Sequence, residues 1–318
     1  MYSIVAKDLT RTFKSKGRVV EALKGVDLEV KDGELFGLLG PNGAGKTTMI
    51  KIFTTLLLPT GGSAKVAGLD VVKGVKKIRP KINMVTGGEY SGYGLLTVRE
   101  NLWMFSQFYG VPGKEAKERI QVLVERMRIS HLADRKIRTL STGERQRTNI
   151  IRAFLTEPKI VFLDEPTLGL DVETSRLIRR FIKEWLNEDP KRTVLLTTHY
   201  MMEADELCDR IAIINDGEIV ALGTPKELKR KIQDETAISI DISPNIDLNW
   251  LDKTEGVIGH SDKEEAGKIS SRVVMKEDSA VSEVLNGINK RGGKILSFYK
   301  DEPTLEDVFV KLTGRGLE

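Results

Sequence analysis

The run GPNGAGKTT at residues 40–48 satisfies G-x-x-x-x-G-K-[ST] in full and stands between an apolar segment, LFGLL, and a helical one, TTMIKIF. A phosphate-binding loop requires that context, because glycines let the backbone close around anionic oxygens and the following helix N-terminus adds its oriented N–H groups. Gly40, Pro41, Asn42, Gly43, Ala44 and Gly45 supply the cradle. Lys46 places a cation between the β- and γ-phosphates, Thr47 offers a hydroxyl to Mg²⁺, and Thr48 reaches the α-phosphate.

Two further runs end in groups suited to phosphoryl chemistry. KIVFLDEP at 159–166 is an apolar strand closing on two carboxylates: Asp164 is the expected Mg²⁺ partner, and Glu165 stands where a carboxylate orients and deprotonates water. TVLLTTH at 193–199 carries His199 to the C-terminal end of a strand, the edge at which α/β sheets bind ligands. Its imidazole is a donor for a γ-phosphate in either protonation state. LSTGERQR at 140–147 is ambiguous by itself: Ser141 suits a helix N-cap, Gly143 permits close approach, and a helix follows.

These groups need a scaffold that brings several strand ends together. β-rich runs at 3–8, 26–30, 35–39, 82–85, 160–163, 194–198, 211–214 and 218–222 alternate with helical periodicity, and several are continuously apolar, as strands covered on both faces are. From about 97 to 156 the pattern turns mostly helical; Ala116, Ile120, Leu123, Val124 and Met127 form one apolar stripe. After the carboxylates, Leu177, Ile178, Phe181, Ile182 and Trp185 repeat that spacing. A charged stretch near 229–234 precedes a restart, with strands at 238–242, 272–275 and 294–299, a helix at 280–289, and a final helix carrying Leu305, Val308, Phe309 and Leu312. The expected organisation is an α/β domain over 1–232 with a helical subdomain at about 97–156, then a small α+β domain over 235–318, of βαββαβ type.

Composition bounds the alternatives. The 318 residues and 40% hydrophobic content suffice for a full core and a second, smaller unit. Lysine and arginine number 50 against 46 acids, and a net charge of +4 is too weak a balance to argue for nucleic acid. Cys208 is the single cysteine, expected as a packed small residue, and His260 is expected at the surface. The N-terminus lacks the basic start and apolar core of a signal peptide, and no window supplies the roughly 18 to 20 apolar residues of a membrane helix.

In order, GPNGAGKTT, LSTGERQR, VFLDEP, GLD at 169–171 and TTH at 197–199 resemble the Walker A, signature, Walker B, D-loop and switch-histidine motifs of ATP-binding cassette (ABC) ATPases. The resemblance covers roughly residues 1–232 and implies a P-loop NTPase fold, with ATP and Mg²⁺ as cofactors. It also implies that two cassettes pack head to tail, so that Ser141 and Gly143 contact the γ-phosphate held by the partner copy while Asp171 lies across the interface. Phe13, in LTRTF, falls where the family places an aromatic that stacks on adenine. There are departures: Thr142 and Glu144 replace a glycine and a glutamine of the usual signature, and Gly87 stands where the family carries its Q-loop glutamine, leaving Glu89 as a further candidate oxygen ligand for Mg²⁺.

The C-terminal EPTLEDVFVKLTGRG at 302–316 resembles the segment ending ATPase subunits of the daunorubicin-resistance type, which energise separate ABC-2 permeases. That resemblance implies an ATP-hydrolysing subunit of an exporter. Its partners would be a second copy or a related ATPase subunit, together with an integral-membrane permease that keeps it peripheral at the cytoplasmic face. The alternative is a mechanical ATPase of the same family acting on nucleic acid or ribosomes. It is the weaker reading, because the chain has one cassette, no coiled-coil insertion and no basic patch interleaved with aromatics.

Overall fold

The chain begins as a long hairpin, β1 (Tyr2–Ser15) and β2 (Arg18–Lys31), followed by β3 (Leu35–Leu39) and α1 (Lys46–Phe53). Next come β4 (Gly61–Val66), β5 (Leu69–Asp70), the short α2 (Val75–Ile78) and β6 (Ile82–Thr86). Three helices follow without an intervening strand: α3 (Val98–Phe108), α4 (Gly113–Arg126) and α5 (Thr142–Phe154). Strand and helix then alternate through β7 (Ile160–Asp164), α6 (Val172–Asn187), β8 (Thr193–Thr198), α7 (Met201–Leu207), β9 (Arg210–Asn215), β10 (Glu218–Gly223) and α8 (Pro225–Arg230). This computed structural model describes residues 1–15, 18–87, 92–231, 236–244, 246–265, 267–301 and 303–313.

The first of two compact units covers Met1–Pro225 and holds two sheets. One is antiparallel, ordered β2-β1-β4-β5; the other is ordered β10-β9-β3-β8-β7-β6 and is parallel from β9 to β6. Every residue of β3, β7 and β8 is buried, as a sheet covered on both faces demands. Ile4, Leu9, Val26 and Val66 of the antiparallel sheet share one core with Phe36, Phe162 and Leu195 of the parallel sheet and with Ile50 and Phe53 of α1.

Two capping boxes fix the starts of α3 and α5. Thr97 and Glu100 bond reciprocally at the first, Ser141 and Glu144 at the second. The far end of α5 is anchored on α6, where Phe154 meets Phe181 and Trp185 edge to face at 5.0 and 4.8 Å between centroids. Burying one such ring contributes about 1.5–3 kcal/mol.

β4 and β5 have no counterpart in the periodicity, because GGSAKV has only two buried positions and LD is a two-residue strand. β1 and β2 run well past their apolar halves for a different reason: the outer turns of β2 are exposed, and pairing with β1 carries them.

The second unit covers Lys226–Gly314. It contains β11 (Thr236–Ile242), β12 (Val257–Glu265), β13 (Lys268–Met275), α9 (Ser279–Lys290), β14 (Ile295–Asp301) and α10 (Leu305–Thr313), with an antiparallel sheet ordered β12-β13-β11-β14. The order is therefore βββαβα and not βαββαβ. Between β11 and β12 the described residues form only a short 3₁₀ turn, Leu251–Lys253. Ile238, Ile240 and Ile242 alternate inward against Val284 and Ile288 of α9. Leu305, Val308 and Phe309 of α10 are buried, but Leu312 is exposed. His260 is also not a free surface group: it lies 2.8 Å from Asp252 and 3.3 Å from Asp262.

Candidate nucleotide site

β3, β8 and β7 are neighbours in the parallel sheet, with Leu39 paired to Thr198 and Thr197 to Asp164. Their C-terminal ends therefore discharge three loops at one edge, carrying residues 40–45, His199 and Glu165. Gly45 ends the first loop at φ +110°, and a Cβ there would lie 2.6 Å from the Ala22 carbonyl oxygen, so both conformation and space select glycine.

Lys46 is 5% exposed and folds back on its loop, with Nζ donating to the Gly40 carbonyl at 2.6 Å and to that of Pro41 at 3.1 Å. It also lies 3.5 Å from Glu165 Oε1. Burial holds its amine below the ordinary lysine range, while Glu165 and Asp164 oppose that shift. The second oxygen of Glu165 is 3.3 Å from His199 Nδ1, within ion-pair distance but not aligned for a hydrogen bond. Lysine, glutamate and histidine thus meet in one recess with the loop.

Asp164 is held by two hydroxyls. Thr47 donates to Oδ2 at 2.9 Å, and Thr197 donates to Oδ1. Among the described residues no group of three His, Cys, Asp or Glu side chains is placed to hold a metal. A threonine hydroxyl beside one carboxylate oxygen instead makes a hard-oxygen pair that suits Mg²⁺ shared with phosphate and water. Glu89, the further candidate ligand, lies outside the described residues.

Glu165 has φ +50°, an uncommon conformation for a side-chain-bearing residue and one that concentrates at functional sites. Its carbonyl is turned toward Gly87 at the end of β6. Gly87 N–H donates to the Asp164 carbonyl at 2.7 Å, and a Cβ on Gly87 would stand 2.0 Å from the Glu165 carbonyl oxygen. A side chain at 87 would therefore require Glu165 to leave this conformation.

Ser141, Gly143 and Asp171 form a second group. Ser141 caps α5, and Asp171 caps α6 by accepting from Thr174 N–H at 2.8 Å and from its hydroxyl at 2.7 Å. A Cβ on Gly143 would lie 3.7 Å from Asp171 Oδ2, so the two helix starts are adjacent. The backbone N–H groups at each start hold both carboxyls, Glu144 and Asp171, below their ordinary pKa. Glu144 points back at Ser141 N–H, 2.7 Å away, so its acid completes a cap. Phe13 on β1 is 39% exposed, with the Arg11 guanidinium 4.5 Å from its ring centroid.

Thr197 and Gln146 were not singled out in the sequence. Gln146 Nε2 donates to the Pro166 carbonyl at 2.9 Å, tying α5 to the turn after Glu165. Both residues stand inside motifs already noted, TTH and LSTGERQR, and that proximity was the available signal.

Known proteins resemble this chain. The family described as ABC transporter matches residues 23–168, and that described as ATP-binding protein DrrA1-3-like, C-terminal domain, matches residues 223–313. The ABC transporter ATP-binding protein NatA of Bacillus subtilis is 37% identical over 81% of this chain and 100% of its own length. The daunorubicin resistance ATP-binding protein DrrA2 of Streptomyces coeruleorubidus is 33% identical over 100% of this chain and 97% of its own. The doxorubicin resistance ATP-binding protein DrrA of Mycobacterium tuberculosis is 35% identical over 98% and 93%. Among solved structures, the dimeric post-hydrolysis state of the ATP-binding cassette MJ0796 bound to ADP and Pi superposes with a TM-score of 0.64 at 31% identity, over 70% of this chain and 98% of that one. With three motifs meeting at one sheet edge, two more at adjacent helix starts, and full-length relatives at this identity, the chain belongs to the ABC transporter ATP-binding proteins, in the group that carries a DrrA-like C-terminal domain.

Proposed function

We propose that this chain is the ATP-binding and ATP-hydrolysing subunit of an ABC-2 type exporter, powering a separate integral-membrane permease through ATP-driven pairing of two cassettes. The observation that carries the reading is the meeting of Lys46 and His199 on Glu165, 3.5 and 3.3 Å from its two oxygens, at the mouth of a phosphate loop. The drug-resistance names of the relatives support the direction of transport. Among the described residues no helix is long and apolar enough to cross a membrane, which supports attachment at the cytoplasmic face through the permease.

In this reading residues 40–48 hold the triphosphate by backbone N–H groups, and Lys46 leaves its own carbonyls to neutralise the β- and γ-oxygens. Phe13 stacks on adenine. Thr47 and Asp164 hold Mg²⁺, which when bound offsets phosphate charge. Glu165 orients water and takes its proton as the oxygen approaches the γ-phosphorus; the bond to the β–γ bridging oxygen breaks, and ADP and phosphate leave. His199 donates to the γ-phosphate. Ser141 and Gly143 of a second cassette, identical or related, close the other side of that phosphate, and Asp171 crosses the interface.

Steady-state phosphate release tests the reading, with and without Mg²⁺, beside recovery of whatever copurifies. Mg²⁺-dependent release with a polytopic membrane protein is expected. Recovery of ribosomes or DNA in its place would favour the mechanical ATPase.

A further inference from the structure

The turn between Glu165 and Asp171 is gripped by side chains that the proposed chemistry does not use. Leu168 N–H donates to the Glu165 carbonyl and Leu170 N–H to that of Thr167, each at 3.2 Å, so Pro166 and Thr167 lie within two successive tight turns. From α5, Gln146 holds the Pro166 carbonyl. From α7, Glu203 accepts the Thr167 hydroxyl at 2.8 Å through Oε1. Glu203 is 2% exposed, and beside Thr167 the Thr198 hydroxyl also bonds its carboxyl. A buried carboxyl is costly unless its position serves something else.

Its backbone indicates what that is. Glu203 N–H donates to the Tyr200 carbonyl at 3.1 Å, closing the turn that follows His199. Thr198, immediately before His199, is 1% exposed and accepts Tyr200 N–H at 2.9 Å through its hydroxyl. Burial pushes the Glu203 carboxyl up from its ordinary pKa; Thr167, Thr198 and Arg179 oppose the shift, and Glu206 adds to it. One side chain therefore joins the turn that carries His199 to the turn that leads from Glu165 to Asp171.

We propose that Glu203 is a positioning residue which, through the Thr167 hydroxyl, locks the His199 turn to the D-loop turn, so that the group donating to the γ-phosphate and the group crossing to the partner cassette keep one register. The inference deepens the hydrolysis reading above and rests on it. Without the bond, Thr167 is released and the two turns move independently while residues 40–48 remain intact.

The test uses the full chain with Glu203→Ala, Glu203→Gln and Thr167→Val. Phosphate release, ATP binding and the His199 imidazole resonances, identified by their loss in His199→Gln, are followed in each. Glu203→Ala and Thr167→Val are expected to bind ATP within about threefold of the parent, lose on the order of tenfold in kcat, and shift the imidazole resonances. Glu203→Gln, whose amide oxygen still accepts the Thr167 hydroxyl, should recover most of both. Unshifted resonances in Glu203→Ala and Thr167→Val overturn the proposal, as does a parent-like kcat in either. If Glu203→Ala fails to fold, Thr167→Val carries the same test, because it only exchanges a hydroxyl for a methyl of similar size. A parent chain that releases no phosphate refutes the hydrolysis reading, whereas the imidazole shifts decide the role of Glu203 separately.

Discussion

Two carboxylates near the reaction edge meet opposite surroundings. Asp164 accepts hydroxyls at both oxygens, whereas for Glu203 burial outweighs its hydroxyl partners. The folded pKa of Glu203 is raised above its ordinary 4.5, so in the window above that value the folded chain binds more protons than the unfolded one, and stability falls as pH rises. Glu203→Gln should therefore melt higher than the parent at neutral pH, with the gap closing as pH falls toward the ordinary carboxylate range; a pH series of thermal melts checks it. The phosphate-loop residues were legible in the sequence because a loop that wraps an anion is contiguous and needs glycines at set places. Glu203 was not, because its partner Thr167 is 36 positions away and only the meeting of two loops makes the contact.

Helix starts and strand ends carry the next layer. Ser141 serves α5 as a cap and, in the proposed dimer, the partner's phosphate as a donor. Ser141→Ala should lower unfolding stability without nucleotide by about 1 kcal/mol through the lost cap and reduce phosphate release besides. Glu144→Gln should leave stability nearly unchanged in the same denaturant melts, since glutamine also completes a capping box. At the end of β6, Gly87→Ala presses a methyl on the Glu165 carbonyl, and kcat should fall on the order of tenfold, with ATP affinity little changed. The fold was legible to the same uneven degree. Strands with continuous apolar runs, such as 160–163, and the stripe of α6 stood out, whereas β4 and β5 are too short and polar to form a pattern. The βαββαβ expectation for the second unit failed because the described residues between β11 and β12 form a 3₁₀ turn in place of a helix.

At the scale of the molecule, the proposed reading has one copy supply a cradle, a base and a switch histidine, while Ser141, which caps α5, serves the phosphate of a second copy. Ser141 and Asp171 are exposed, as are Leu168 and Val172 on either side of Asp171 and Tyr200 and Met202 just after His199. In the proposed dimer a second cassette covers these apolar side chains. In the proposed mechanism pairing is part of the chemistry, and Glu165 is the group that ends it. The most direct measurement is the mass of Glu165→Gln in solution with and without ATP and Mg²⁺, taken together with its phosphate release. The predicted result is a stable dimer only with ATP and turnover lowered by about 10²–10⁴-fold; near-parent hydrolysis, or a monomer at saturating ATP, would contradict it.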